Sequence, residues 1–295
     1  MTGNSSDSFQ LDKAGVRAAF DRASRTYEAN AVLQSRVADE LLGRLEPFDF
    51  HPAVILDLGA GTGRAAAELK RRYRRSRVIA LDLAPGMLHE AAHHQSLFRR
   101  FERVCADAAR VPLQSASVDI IFSSLMLQWC DPLDEVFAEV RRVLKPRGFF
   151  AFTTFGPDTL KELRSAWAEA DPHNHVNRFL DMHDVGDALT RAGLQEPVLD
   201  VDRTQLTYSD GMALMRDLKS IGARNATAGR PRSLVGRARI QRVLTAYEAF
   251  RKDGRLPATY EIVYGAAWGT EGRPAATSAH AGEFRIHPSE IRRRK

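Results

Sequence analysis

The chain has 295 residues, enough for one large domain or one domain with insertions. Hydrophobic residues make up 44% and charged residues 27%, a balance that fills a globular core and excludes a fibrous or fully disordered chain. The net charge is +6, and two cysteines are too few for a disulfide scaffold or for a zinc site built on paired cysteines.

Both cysteines, Cys105 and Cys130, sit in apolar stretches and are expected to be small buried hydrophobes. No apolar run approaches the ~18 residues of a membrane span. The start, MTGNSSDSFQLDKAG, has no basic segment followed by an apolar stretch and does not read as a secretory signal. The expected setting is the reducing cytoplasm. Charge is concentrated in residues 211–245, where Arg216, Lys219, Arg224, Arg230, Arg232, Arg237, Arg239 and Arg242 face the single acid Asp217. A patch of this kind attracts polyanions or acidic proteins.

In chain order, residues 1–15 read as a disordered leader. Val16, Phe20, Tyr27, Val32, Leu33, Val37, Leu41 and Leu42 then recur at helical spacing as far as Leu45. Strands are predicted at 53–58, 77–83, 101–106, 117–123 and 149–155. Helices are predicted at 62–73, 85–94 and 132–144, with a turn at 145–148. A further helix spans 184–192 and stops at Gly193, before a strand near 197–201. The alternating string Tyr260–Trp268 reads as a closing strand, with antiparallel pairing one option. Nearly continuous apolar strands alternating with helices predict an α/β fold, a doubly wound, mostly parallel seven-stranded sheet. Two segments break the alternation, at about 156–183 and 207–250, and are expected to form a helical lid. One domain would then cover 16–268, leaving 269–295 as a linker and basic tail.

The segment Val54-Ile-Leu-Asp57-Leu-Gly59-Ala-Gly61-Thr-Gly63 places glycines where the first strand turns into a helix. Glycine there permits positive φ and lets a ligand lie against bare backbone, in the crevice where open α/β sheets bind ligands. A dinucleotide site requires a small residue at the sixth position from Gly59, and Arg64 stands there. Asp57 would repel a pyrophosphate but suits a cationic group. Nineteen residues after Gly63, Asp82 ends the second strand, where a carboxylate can accept both ribose hydroxyls. Leu83 and Met87 are suited to sandwich adenine. Asp107, with Ala108 beside it, ends the third strand and suits the adenine exocyclic amine, and Ser124 follows the fourth strand. Taken singly, each acid reads as a cap or a solvated loop residue. Three acids at the ends of three successive strands point to S-adenosylmethionine, which carries an ammonium and a sulfonium.

With these residues the chain resembles class I methyltransferases over residues 50–155. The flanks are more specific. Phe20-Asp-Arg-Ala-Ser-Arg-Thr-Tyr27 with Leu33-Gln34, Leu127-Gln-Trp-Cys130, Ala151-Phe-Thr-Thr154, His175-Val-Asn-Arg-Phe179 and Met215-Arg-Asp-Leu-Lys-Ser-Ile-Gly-Ala223 are similar in order and spacing to the malonyl-[acyl-carrier protein] O-methyltransferase family of biotin synthesis. A complex I assembly factor that hydroxylates an arginine on a methyltransferase-like fold shares several of these segments and is the alternative.

The resemblance implies methyl transfer to a malonyl carboxylate, the step that starts pimeloyl chain synthesis for biotin. A carboxylate is already ionised at neutral pH, so no general base is needed. Tyr27, His175 and Arg178, with Asn177, are the candidates for holding the substrate; Gln128 and Trp129 are expected beside the methyl. The family's carrier protein is acidic, which supplies a partner for Arg216, Lys219 and Arg224. Nucleic acid is not the expected partner, because no aromatic residues interleave with the arginines. No metal and no membrane are expected.

Overall fold

A computed structural model of the chain describes residues 11–171, 175–223 and 236–270. The expectations for residues 1–10, for Arg224, Arg230 and Arg232, and for the tail beyond residue 270 lie outside the described residues. None of the helices described is long and apolar enough to cross a membrane.

Two helices lead, α1 (Lys13–Asn30) and α2 (Val32–Gly43). The single helix expected here breaks at Ala31, whose ψ of 46° leaves the helical range. The side-chain amide of Asn30 donates to the Thr26 carbonyl at 2.7 Å, a local bond that competes with the helical ladder. Ala31 itself is buried at the corner. α1 starts earlier than expected because Asp12 caps it, accepting from the Gly15 N–H at 2.9 Å.

Then β1 (Val54–Leu58), α3 (Arg64–Arg72), β2 (Arg77–Asp82), α4 (Pro85–Glu90), β3 (Glu102–Cys105), β4 (Val118–Ser124), α5 (Leu133–Val143) and β5 (Leu144–Phe155) alternate as predicted. α5 shows why the pattern is legible: Leu133, Val136, Phe137, Val140 and Val143 are its buried stripe. Asp134 and Glu135 in its first turn, and Arg141 and Arg142 in its last, suit the helix dipole. α6 (Lys161–Ala170) and α7 (Met182–Arg191) precede β6 (Gln195–Tyr208), and α8 (Gly211–Ser220) and α9 (Arg237–Glu248) precede β7 (Leu256–Trp268).

The seven strands form one sheet in the order β3-β2-β1-β4-β5-β7-β6. β1 to β5 run parallel, and β7 runs antiparallel to both neighbours. One core packs α2, α3, α6 and α9 on one face of the sheet; a second packs α5 and α7 on the other.

Three expectations need correction. The turn at 145–148 lies inside β5 as a looped-out irregularity: Val118 pairs with Leu144 and Ile120 with Phe149, and Arg147 takes φ +59°. The strand expected near 197–201 extends over all of β6, because twelve of its residues pair with β7, including its polar ones. Cys105 is exposed rather than buried, and Cys130 is half-buried. β3 is one of the two edge strands, and most of its residues face solvent, so an apolar-looking segment there is not covered.

Candidate active site

The glycine loop leaves β1 at Leu58 and is held to β2 by the N–H groups of Gly59 and Ala60, which donate to the Leu81 carbonyl at 2.8 and 2.9 Å. Gly59 has φ +78°, and a Cβ there would fall 2.1 Å from Met126 Cγ. At Gly61 (φ +54°) a Cβ would meet nothing within 4 Å, so bare backbone borders open space. Gly63 does something else: it precedes α3 with its Cα side against Ala91 and Phe101, and it does not line the cavity.

Three acids stand around this loop. Asp57 is 1% exposed, and its Oδ2 has no hydrogen-bond partner. Burial, and then the nearby Asp82 carboxylate, push its pKa up to about 8, with the Ala66 N–H acting the other way. Asp82 accepts from Gly61 N at 2.8 Å and from Ala84 N at 2.8 Å. Burial raises its pKa despite these two bonds. Asp107 accepts from Ala109 N at 2.9 Å and pairs with Lys13 Nζ at 3.1 Å. Burial raises its pKa, but these two donors outweigh it and the net shift is downward.

Gly59, Gly61, Asp82, Leu83, Met87, Asp107, Ala108 and Ser124, eight of the ten residues expected to bind cofactor, line one cavity of about 100 Å³. Asp57 lines an adjoining open cleft of about 1010 Å³ that shares Gly59, Gly61, Ser124 and Tyr27 with it. Ser124 Oγ lies 3.3 Å from Thr153 Oγ1, which ties the end of β4 to β5. Tyr27 comes from α1 and sits over the loop; burial and the Asp82 charge raise the pKa of its phenol. The structure therefore groups Tyr27 with the cofactor residues rather than with His175 and Arg178.

His175 and Asn177 line a separate cavity of about 70 Å³, walled by Phe155, Leu163 and Tyr260. Trp129 lines both this cavity and the one beside the glycine loop. His175 stacks on Trp167 with centroids 3.8 Å apart, and its Nε2 lies 3.0 Å from Asp171 Oδ2. Arg239 of α9 reaches the same oxygen at 2.7 Å. Arg178 is exposed and does not line the cavity. Gln128 is turned to structure, donating to the Leu125 carbonyl at 2.6 Å. Arg216 and Lys219 are both exposed on α8.

Residues that the sequence reading missed come mostly from α1. Lys13, Val16 and Phe20 line the first cavity with Tyr27, and their spacing of three to four was the available signal. Asp171 was missed because a lone acid before a proline carries no pattern.

The donor set fits S-adenosylmethionine. A buried carboxylate oxygen without a partner, beside a second carboxylate that raises its pKa, calls for a cation. Asp82 and Asp107 have lone pairs remaining for hydroxyl and amino donors, and Leu83 and Met87 offer apolar surface.

Comparison with known proteins agrees. A family model described as a methyltransferase domain matches residues 56–152. The chain is 52% identical to a malonyl-[acyl-carrier protein] O-methyltransferase of Methylovorus sp. over 91% of this chain and 93% of that protein. It is 48% identical to a protein of the same name from Halorhodospira halophila, covering 99% of both. A solved methyltransferase of Bacillus halodurans superposes with a TM-score of 0.58 at 17% identity, over 79% of this chain and 99% of that one. An S-adenosylmethionine-dependent methyltransferase of Thermotoga maritima gives 0.51 at 14% identity, over 86% of this chain and 99% of that one. These two structures speak for the fold.

Proposed function

The chain belongs to the malonyl-[acyl-carrier protein] O-methyltransferase family, and we propose that its two adjoining cavities serve that reaction. It is an S-adenosylmethionine-dependent carboxyl O-methyltransferase. It esterifies the free carboxylate of malonyl-[acyl-carrier protein], giving the methyl ester that starts pimeloyl chain synthesis for biotin. Nothing in the comparisons favours the arginine-hydroxylating alternative.

When bound, S-adenosylmethionine supplies a methyl activated by its sulfonium. Asp57 holds the ammonium, Asp82 the ribose hydroxyls and Asp107 the adenine amine, with Leu83 and Met87 against the ring. Tyr27 and Phe20 of α1 close over this cavity and exclude water. The nucleophile needs no base, because a carboxylate with an ordinary pKa near 4 is already an anion. What the protein contributes is placement, with reacting atoms held at about 3–3.5 Å. His175 and Asn177 are read as holding the malonyl group, with the exposed Arg178 next to them in the chain. The product is neutral, so an apolar chain-elongation pocket accepts it at less desolvation cost than the anion.

The observation that carries this reading is that Trp129 is a wall of both cavities, so a donor in one and an acceptor in the other meet at one side chain. The carrier is read as an acidic protein bearing a malonyl thioester. Arg216 and Lys219, three apart on one face of α8, and Arg224 beyond it, are read as contacts for it. The test is incubation with labelled S-adenosylmethionine and purified malonyl-carrier protein, followed by mass spectrometry of the thioester. A gain of one methyl on the malonyl group is expected; a substrate left unmodified rules out the assignment.

A further inference from the structure

Four basic side chains flank one seam of the molecule. Arg22 and Arg25 are exposed on α1, and Arg216 and Lys219 are exposed on α8. None of the four forms an ion pair among the described residues. The seam is where these two helices touch. Thr26 Oγ1 donates to the Ser220 carbonyl at 3.2 Å, and Gly222 (φ +75°) lies against Ala19, Phe20 and Ala23. Arg22 stands one turn before Thr26, and Arg25 adjoins it. Arg216 stands one turn before Ser220, and Lys219 adjoins it. The four cations thus occupy matching positions on either side of one hydrogen bond. Exposed Met212 lies one turn further along the α8 face.

The neighbouring acids are engaged elsewhere. On α1, Asp21 accepts from Gly86 N of α4 at 2.7 Å and Glu28 pairs with His94 in the turn that follows α4, both away from α8. On α8, Asp217 accepts the Tyr208 hydroxyl at 2.7 Å. Asp210 feels the charge of Arg216 but caps the helix, accepting from Ala213 N at 2.8 Å. The surface over the seam is therefore predominantly cationic.

The seam also roofs the chemistry. On its inner side Phe20 and Tyr27 line the first cavity, while Leu218 and Ile221 line the second. Phe20 touches Trp129 edge-on, with centroids 5.2 Å apart. Trp129, where the two cavities meet, therefore lies beneath the seam.

We propose that the α1–α8 seam is the docking face for the acidic carrier protein, and that Arg22 and Arg25 of α1 form half of it. This rests on the carrier-protein substrate proposed above. Complementary charge of this kind steers encounter and sets the salt dependence of binding. In the sequence, the arginines of α1 are interspersed with Asp21 and Glu28 and give no sign of a patch; the fold separates them by turning those acids toward residues 86–94.

The test is the double variant Arg22→Glu/Arg25→Glu, assayed with malonyl-carrier protein and with malonyl-N-acetylcysteamine, which has no carrier. KM for the protein-borne substrate is expected to rise at least tenfold at low salt, and its dependence on sodium chloride to flatten. Turnover of the small thioester and calorimetric affinity for S-adenosylmethionine should stay within twofold of the parent. Arg22→Lys/Arg25→Lys, which keeps both charges, should stay within threefold on the carrier. An unchanged KM for the carrier, or equal loss on both substrates, overturns the docking face and leaves methyl transfer standing. Failure of the parent enzyme to esterify either thioester removes the methyl-transfer reading and this proposal with it.

Discussion

Lys13, the first residue of α1, reaches across the chain to Asp107 at the end of β3, Nζ to Oδ2 at 3.1 Å. The contact ties the N-terminal helix over the cavity at the point assigned to adenine. Both side chains are partly exposed, 40% and 34%, so the pair adds little to stability, about 0–1 kcal/mol. Asp107 itself is proposed to touch the ligand. Asp107→Ala should weaken S-adenosylmethionine binding about tenfold or more, the loss of a hydrogen bond to a charged group. Lys13→Ala should change it by less than about threefold. Calorimetry on both variants checks the contrast, and equal losses would place adenine elsewhere.

Asp57 gives the site a pH dependence whose sign can be worked out. Its carboxyl, ordinarily near 3.8, is raised to about 8 in the fold by burial and by Asp82. Between those values the folded chain holds a proton that the unfolded chain has released, so without ligand stability falls as pH rises through this window and levels off above it. A bound ammonium reverses the preference and favours the anion. Affinity for S-adenosylmethionine should therefore climb with pH toward about 8 and fall again as the ligand's own amine, ordinarily near 7.7–8.0, loses its proton. Asp57→Asn should flatten the rise, weaken binding at pH 8 and stabilise the ligand-free protein there, as read by thermal melts. A rising limb that persists in Asp57→Asn would sink this account.

Gly59 and Gly61 should respond differently to a methyl group. Gly59→Ala drives Cβ into Met126 at 2.1 Å and costs fold stability as well as binding. Gly61→Ala meets no protein atom and pays only the left-handed backbone term, about 1–2 kcal/mol, while its methyl projects into space the ligand needs. A Gly61→Ala protein that melts only a few degrees below the parent but gives no calorimetric heat with S-adenosylmethionine is the expected outcome. Undiminished binding would mean the loop is not the cradle.

For the substrate end, His175 lines the cavity and Arg178 does not. His175→Ala should raise KM for the malonyl substrate at least tenfold with cofactor affinity unchanged, whereas Arg178→Ala should raise it less than threefold. Steady-state kinetics with the small thioester separates these effects from docking. The reverse order would assign the carboxylate to Arg178 rather than to His175.

Much of the cofactor side was legible because it is local. A strand, a glycine loop and an acid at the next strand's end are set by periodicity and by the backbone needs of glycine, and ten positions named that way include nine that line the cavity or its adjoining cleft. Gly63 is the exception, since a glycine before a helix serves packing as readily as binding. The substrate side was less legible. Tyr27, His175 and Arg178 were grouped by chemistry alone, and chemistry does not say which of three polar side chains share a cavity.

Sequence alone was enough for the alternation of strands and helices and for the acids at three strand ends, because those signals repeat within a few residues of one another. Only the tertiary structure decided that Lys13 meets Asp107, that Arg239 and His175 share Asp171, and that α1 meets α8 at Thr26 and Ser220. Such pairings depend on how helices far apart in the chain pack on a common sheet, and no local pattern of charge or apolarity encodes that.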